Sequence, residues 1–355
     1  MLSILKSPVK VLIVDDSAVV RKILSRDLAK DPQIQVVGAA PDPFIARDMI
    51  ATLNPDVITL DVEMPRMDGI TFLRALMKHH PKPVIVLSSL TAQGSQTCLD
   101  ALEAGAVDVM CKPNGMYSIE NVAIDLIRKI KVASRARPVA RETTGGKSTP
   151  ITSHALSETT HKLFAIGAST GGVQALGEVI TKLPANTPGT VIVQHMPAKF
   201  TASFAERLSK ESHVEVREAR QGDRVIPGRV LIAPGDFHMI LRRSGAEFYV
   251  DIVTGPEVHH QRPAVEVLFN SVAKYAGANA IGAILTGMGA DGAAGLLNMR
   301  KSGSRTIAQD QASCVVFGMP MEAIKLNAAE FILPLNKIAD SMLKLASGGA
   351  LRASA

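Results

Sequence analysis

The chain has 355 residues, 46% of them hydrophobic and 20% charged, which is ordinary for a globular protein and long enough for two or three domains with separate cores. Aromatics make up 4% and tryptophan is absent, so those cores are expected to be aliphatic. The net charge is +6, but residues 1–132 are balanced at 15 basic and 15 acidic side chains, and no basic recognition helix follows; this disfavours a nucleic-acid partner and suits a mildly basic surface that meets an acidic protein.

The opening residues, MLSILKSPVKVLIVDD, contain neither a long apolar leader nor a cleavage motif. Apolar runs at 9–14, 56–60, 84–87 and 106–110 read as strands, and amphipathic stretches at 18–30, 43–53, 69–79, 93–104 and 118–132 read as helices. This alternation predicts βαβ units around a parallel sheet. Residues 133–160 are rich in Ser, Thr, Arg, Pro and Gly and are expected to form a flexible linker. A random coil of that length spans roughly 30 Å.

Beyond it, strands are expected at 162–167, 190–194, 229–233, 248–253 and 281–285, with further apolar segments at 305–308, 314–317 and 331–333. Helices fit 171–183, 200–210, 263–275, 292–302 and 319–327, giving a second, mostly parallel α/β domain. The uncharged stretch between Lys274 and Asp291 is too short for a membrane span and is broken by glycines, so no membrane insertion is expected. Cys98, Cys111 and Cys314 are odd in number and lack metal-ligand spacing; they read as small buried hydrophobes in a reducing compartment. A cytoplasmic, monomeric protein is expected.

In open α/β sheets, ligands bind beyond the carboxyl ends of the strands. Those ends in the first domain carry Asp15 and Asp16, Asp61, Ser88, and Lys112. Taken singly, each has a bland role: Asp16 or Ser17 as a helix cap, Asp61 as a loop acid, Lys112 as a solvated lysine. As a set at successive strand ends they are hard to explain by packing, and paired acids there suit a hard cation such as Mg²⁺. The segments VLIVDDSAVVRKIL, DVITLDVEMPRMDGITFL, VIVLSS and GAVDVMCKP resemble the signature blocks of response-regulator receiver domains over residues 9–130. The resemblance implies that Asp61 takes a phosphoryl group from a histidine kinase. It also implies that Asp15, Asp16, Asp61 and the Glu63 backbone carbonyl hold Mg²⁺, and that Ser88 and Lys112 contact the phosphoryl oxygens. Val109 stands where receivers usually carry an aromatic switch residue.

The second domain opens with a strand running into Gly167-Ala168-Ser169-Thr170-Gly171, a G-x-S-x-G pattern that would expose Ser169 at a helix N-terminus. Ser169 can equally be a helix cap, and Gly171-Gly172 a phosphate nest. No dinucleotide or P-loop fingerprint is present, which argues against a nucleotide. His195 ends the strand TVIVQ, and Asp291 follows the strand-to-turn segment AIGAILTGMGADG. His238 is the one serious competitor among the nine histidines, and Asp291 can also be a cap. All three fall at strand ends, and a serine needs a neutral imidazole that a carboxylate orients. The order Ser, His, Asp differs from that of α/β-hydrolases, so convergent chemistry on another fold is expected.

FAIGASTGGVQAL, VIVQHMPAKFTASFAERL, VLIAPGDFHMIL, RPAVEVLFNSVA, ILTGMGADGAAGL and SCVVFGMPMEAI together resemble the chemotaxis protein-glutamate methylesterase family, CheB, from about 162 to 345. The resemblance implies hydrolysis of γ-glutamyl methyl esters on chemoreceptors, deamidation of particular receptor glutamines, and no cofactor for the hydrolase site. It implies Ser169 as nucleophile, His195 as base and Asp291 as orienting acid, with backbone N–H groups of Met288 and Thr170 at the oxyanion and Arg262 in the cleft. Ala264 and Glu266 depart from the more usual Ser and Asp there. It further implies that the unphosphorylated receiver restrains the hydrolase. The expected boundaries are 1–132 for a (βα)5 receiver, 133–160 for the linker, 161–348 for a doubly wound catalytic domain and 349–355 for a disordered tail. A non-catalytic receiver adaptor and a receiver-driven transcription factor are the competing classes; the first has no need of a triad, and the second lacks a DNA-reading motif.

Overall fold

The structure, a computed structural model, describes residues 7–64, 67–88, 92–112, 119–136, 162–198 and 200–351. The chain divides into two units, Met1–Thr144 and Gly145–Ala355. Most of the expected linker lies outside the described residues, as do residues 352–355.

In the first unit the elements alternate as β1 (Val9–Val14), α1 (Ala18–Leu28), β2 (Ile34–Ala40), α2 (Pro43–Leu53), β3 (Val57–Asp61), α3 (Gly69–His79), β4 (Val84–Ser88), α4 (Ala92–Glu103), β5 (Asp108–Cys111) and α5 (Ile119–Ala133). The strands form one parallel sheet in the order β2-β1-β3-β4-β5. β3 and β4 are buried along their whole length, as strands covered by helices on both faces must be. Capping residues set the helix starts: Ser17 accepts from Val20 N–H, Asp42 from Phe44 and Ile45 N–H, and Asp68 from Thr71 N–H. The winding reverses between β1 and β3, so the crevice of the sheet opens beyond Val14 and Asp61.

The second unit contains β6 (Leu163–Ala168), α6 (Gly172–Ile180), β7 (Gly189–Gln194), α7 (Phe200–Glu211), β8 (Glu215–Glu218), β9 (Arg229–Ile232), β10 (His238–Ser244), β11 (Glu247–Val253), α8 (Val265–Tyr275), β12 (Ala280–Ile284), α9 (Ala293–Lys301), β13 (Arg305–Gln309), α10 (Met319–Lys325), β14 (Phe331–Leu333) and α11 (Leu335–Ala346). Seven strands form a parallel sheet in the order β14-β13-β12-β6-β7-β9-β8. The central strands β12, β6 and β7 are wholly buried. Each fully buried Val, Leu or Ile there contributes about 1.5–3 kcal/mol relative to exposure. The chain winds outward from β6 to one side, then returns to β12 and continues to the other, so β6 sits at the switch point.

Several elements depart from expectation. β2, β8, β10 and α11 were not expected. β8 is the short polar sequence EVRE, which carries no apolar run to read. β10 pairs antiparallel with β11 as a hairpin apart from the main sheet. The apolar segment 314–317 forms a loop, whose Val316 carbonyl accepts from Gly287 N–H at 3.1 Å while its N–H donates to Thr286 Oγ1 at 3.0 Å.

Candidate active site

Ser169, His195 and Asp291 come together beyond the carboxyl ends of β6, β7 and β12, the three neighbouring strands at the centre of the larger sheet. Two glycines bring Ser169 to this edge. Gly171 adopts φ +76°, where a side chain is strained, and a Cβ on Gly167 would collide with Val265, so α8 presses directly on β6. Ser169 does not cap α6, because that position belongs to Gly171. Its N–H donates to Thr286 O at 3.0 Å, which anchors the turn to the end of β12.

His195 Nδ1 lies 3.1 Å from Ser169 Oγ, and His195 Nε2 lies 2.7 Å from Asp291 Oδ2. An ionised carboxylate only accepts, so Nε2 carries the ring hydrogen and the serine hydroxyl donates to Nδ1. The imidazole is thus reversed relative to the chymotrypsin arrangement, where Nε2 faces the serine. In either orientation the ring nitrogen that faces the serine hydroxyl is an acceptor.

Asp291 does not cap its own helix; Gly292 holds that position at α9. Its carboxylate instead receives the N-terminus of α8, from Val265 N–H to Oδ2 at 2.7 Å and Glu266 N–H to Oδ1 at 2.9 Å. Burial pushes the Asp291 carboxyl up, but the hydrogen bond and charge of His195 and the two backbone donors outweigh it and hold the group below the usual carboxylate value of 3.8. A carboxyl depressed in the folded state contributes stability that is present above 3.8 and lost as pH falls through its lower folded value. The melting-temperature gap between the native protein and Asp291→Asn is therefore expected to be constant well above that value and to narrow below it, as thermal melts across acid pH would record.

His238 is excluded as a base by its contacts. Its Nε2 donates to Pro256 O at 2.9 Å and its Nδ1 accepts from Ala264 N–H at 3.3 Å, so the buried ring holds the start of α8. Arg262 lies three residues before that start and donates to the Gly255 carbonyl at 2.5 Å. Met288 follows Gly287, whose missing side chain leaves room for Ser169: a Cβ there would come within 2.7 Å of the serine Cβ. Thr170, buried beside Ser169, has its carbonyl held by Thr286 Oγ1 at 3.0 Å. Gln194, which composition and spacing did not single out, donates to the carbonyls of both Ser169 and His195. Its one sequence signal is an amide between an aliphatic strand and a histidine.

In the first unit, Asp15, Asp16 and Asp61 each bring a carboxylate oxygen within 4.8 Å of the others. Asp15 and Asp61 are fully buried, and Lys112 Nζ lies 2.6 Å from Asp61 Oδ2 and 3.1 Å from Asp15 Oδ2. The second contact lacks hydrogen-bonding geometry, which leaves Asp15 Oδ2 buried without a donor. Burial raises the Asp61 carboxyl above the usual range, and the charge of Asp15 adds to it, against the pull of Lys112 and of Glu63 N–H. Three acids against one lysine, offering only oxygen ligands, fit a hard divalent cation. Ser88 ends β4, and its carbonyl accepts from Lys112 N–H at 2.8 Å. Val109 is a buried β5 residue. His259, Glu266 and Asp291 also lie within 4.8 Å of one another, but an ion there would compete with the donors already on Asp291. No helix among the described residues is long and apolar enough to cross a membrane.

Residues 164–342 match the CheB methylesterase family model, and residues 11–123 match that of the response regulator receiver domain. The chain is 56% identical over 342 residues to protein-glutamate methylesterase/protein-glutamine glutaminase 2 of Syntrophus aciditrophicus (strain SB), covering 96% of this chain and 99% of that protein. It is 51% identical over 342 residues to the protein of the same name from Pseudomonas aeruginosa, covering 96% and 97%. The crystal structure of the Thermotoga maritima CheB methylesterase catalytic domain is similar at a TM-score of 0.51 and 40% identity, covering 52% of this chain and 99% of that one. Over nearly its whole length, then, the chain belongs to the CheB methylesterase family, with a response regulator receiver domain ahead of the catalytic region.

Proposed function

We propose that this chain is a phosphorylation-activated hydrolase that removes methyl esters from glutamate side chains of chemoreceptors, releasing methanol, and deamidates particular glutamines to glutamate. The observation that carries the reading is the hydrogen-bonded series Ser169–His195–Asp291 at the switch point of the sheet. Ester and amide are both acyl substrates, pass through analogous tetrahedral intermediates and converge on the same glutamyl ester of Ser169. Ser169 Oγ attacks the acyl carbon as His195 Nδ1 takes its proton. Asp291 fixes the tautomer and stabilises the imidazolium. The backbone N–H groups of Met288 and Thr170 receive the oxyanion, and Arg262 lines the cleft. The imidazolium then protonates the leaving group, which departs as methanol or ammonia; water, deprotonated by His195, attacks the acyl carbon, and His195 returns that proton to Ser169 Oγ as glutamate leaves.

In the receiver domain, taken as residues 1–132, Asp61 accepts the phosphoryl group from a histidine kinase. Ser88 and Lys112 contact its oxygens. Asp15, Asp16, Asp61 and the Glu63 carbonyl would hold Mg²⁺, which when bound supplies positive charge to the phosphoryl oxygens. Residues 133–160 serve as a tether and residues 161–348 as the catalytic domain; the protein works as a cytoplasmic monomer. Methanol release from methylated receptor membranes, with and without a phosphodonor, tests the reading. Release stimulated several-fold by phosphodonor is expected, and no release under either condition would overturn it.

A further inference from the structure

We infer that Gln194 is a positioning residue for the hydrolytic reaction: its side-chain amide ties the peptide of Ser169 to that of His195 and so sets the geometry between nucleophile and base. The inference rests on the roles proposed above for those two residues. Gln194 ends β7 and is 3% exposed. Its two close partners are both carbonyl oxygens, so the nitrogen end must face them. Nε2 donates to Ser169 O at 2.9 Å and to His195 O at 3.0 Å. The Ser169 carbonyl also accepts from Gly172 N–H at 2.7 Å, so its direction is fixed from two sides. A trans peptide is planar, with its C=O and N–H opposed. Holding the Ser169 carbonyl therefore also aims the Thr170 N–H of the same peptide.

The other end of the amide carries the discriminating observation. Gln194 Oε1 is buried and has no hydrogen-bond partner among the described residues. An unpaired buried acceptor is destabilising, and a methionine of similar length would fill the same slot without one. An amide kept where half of it is a liability is kept for its donors. The space is also closed, because a Cβ on Gly172 would collide with Oε1 and come within 2.8 Å of Ala168 Cβ. The start of α6 presses the amide onto the two carbonyls.

The test measures methanol release by the whole chain, with rates divided by the folded fraction from circular dichroism. Gln194→Met, which removes both donors, is expected to lower kcat about 10²-fold and to move KM less than about threefold, since misplacement of reacting groups by ~1 Å acts on the chemical step. Gln194→Asn, shorter by one methylene, keeps the polarity but cannot span both carbonyls and is expected to lose kcat in the same way. A filler residue would instead lower the melting temperature and leave kcat per folded molecule unchanged. A kcat within about threefold of wild type in either folded variant overturns the proposal. An inactive wild-type protein or an active Ser169→Ala control would instead strike at the triad assignment, which keeps the two failures distinguishable.

Discussion

Ser169→Ala is expected to reduce methanol release by roughly 10⁴-fold or more, with the protein still folded. In the proposed mechanism the hydroxyl is the group that bonds to the acyl carbon, and it lies 3.1 Å from His195 Nδ1. His195→Ala is expected to fall as far, because a serine hydroxyl without an adjacent acceptor stays protonated at neutral pH. The two losses are not expected to add, since each variant already disables the same proton transfer. Asp291→Asn is expected to retain weak activity: the nucleophile and base remain, while the imidazolium loses its charge partner. Steady-state methanol assays on folded variants, checked by circular dichroism, decide the matter. Near-wild-type turnover by Ser169→Ala would remove the serine from the mechanism.

The placement of these polar residues along one edge of each sheet was legible in the sequence because, in parallel α/β sheets, strand ends can be read from where an apolar run stops. Asp15, Asp61, Ser88, Ser169 and His195 each end or follow such a run. The orientation of the imidazole was not legible. Which ring nitrogen faces the serine depends on a side-chain torsion and on Asp291 arriving with the N-terminus of α8, contacts far apart in sequence. The same distance hid the true partner of Asp291. From sequence it can cap the helix that follows it, whereas its carboxylate serves α8 instead.

Fold elements failed where the local pattern was weak. β2 (IQVVGAA) is an edge strand, only part-buried and ending in small residues, and β8 is mostly charged. Neither offers the aliphatic run that marks β3 or β7. Conversely, 314–317 is apolar without being a strand, because its backbone groups are taken up by Thr286 and Gly287 beside the active-site turn. Gln194 is silent in the sequence for a related reason: its two acceptor carbonyls come within reach only in the folded chain.

Asp61→Asn is expected to abolish phosphate incorporation altogether and, with it, the stimulation of methanol release by phosphodonor. An amide is isosteric with the carboxylate but is not a nucleophile towards phosphorus, and it withdraws the charge that Lys112 meets at 2.6 Å. Basal methanol release should remain, because the triad lies in the other unit of the chain. A tether of the kind expected for residues 133–160 keeps two domains at high effective concentration, so even a weak contact is substantially occupied and can be biased by a phosphoryl group. If the unphosphorylated receiver restrains the hydrolase in this way, residues 161–355 alone should exceed the unphosphorylated whole chain in rate per molecule and ignore the phosphodonor. Val109 bears on how such a bias is transmitted. It is a buried β5 residue, β-branched and stiff about χ1, with no ring to swing between two positions. An aromatic rotamer at that position is therefore not available to carry it. The measurements are phosphate incorporation into the whole chain and Asp61→Asn, and methanol release by three proteins at equal concentration: the whole chain, Asp61→Asn and residues 161–355. Stable incorporation into Asp61→Asn would displace the acceptor to another residue. A truncated protein no faster than the whole chain, together with a phosphodonor that changes nothing, would remove the receiver from control of the esterase.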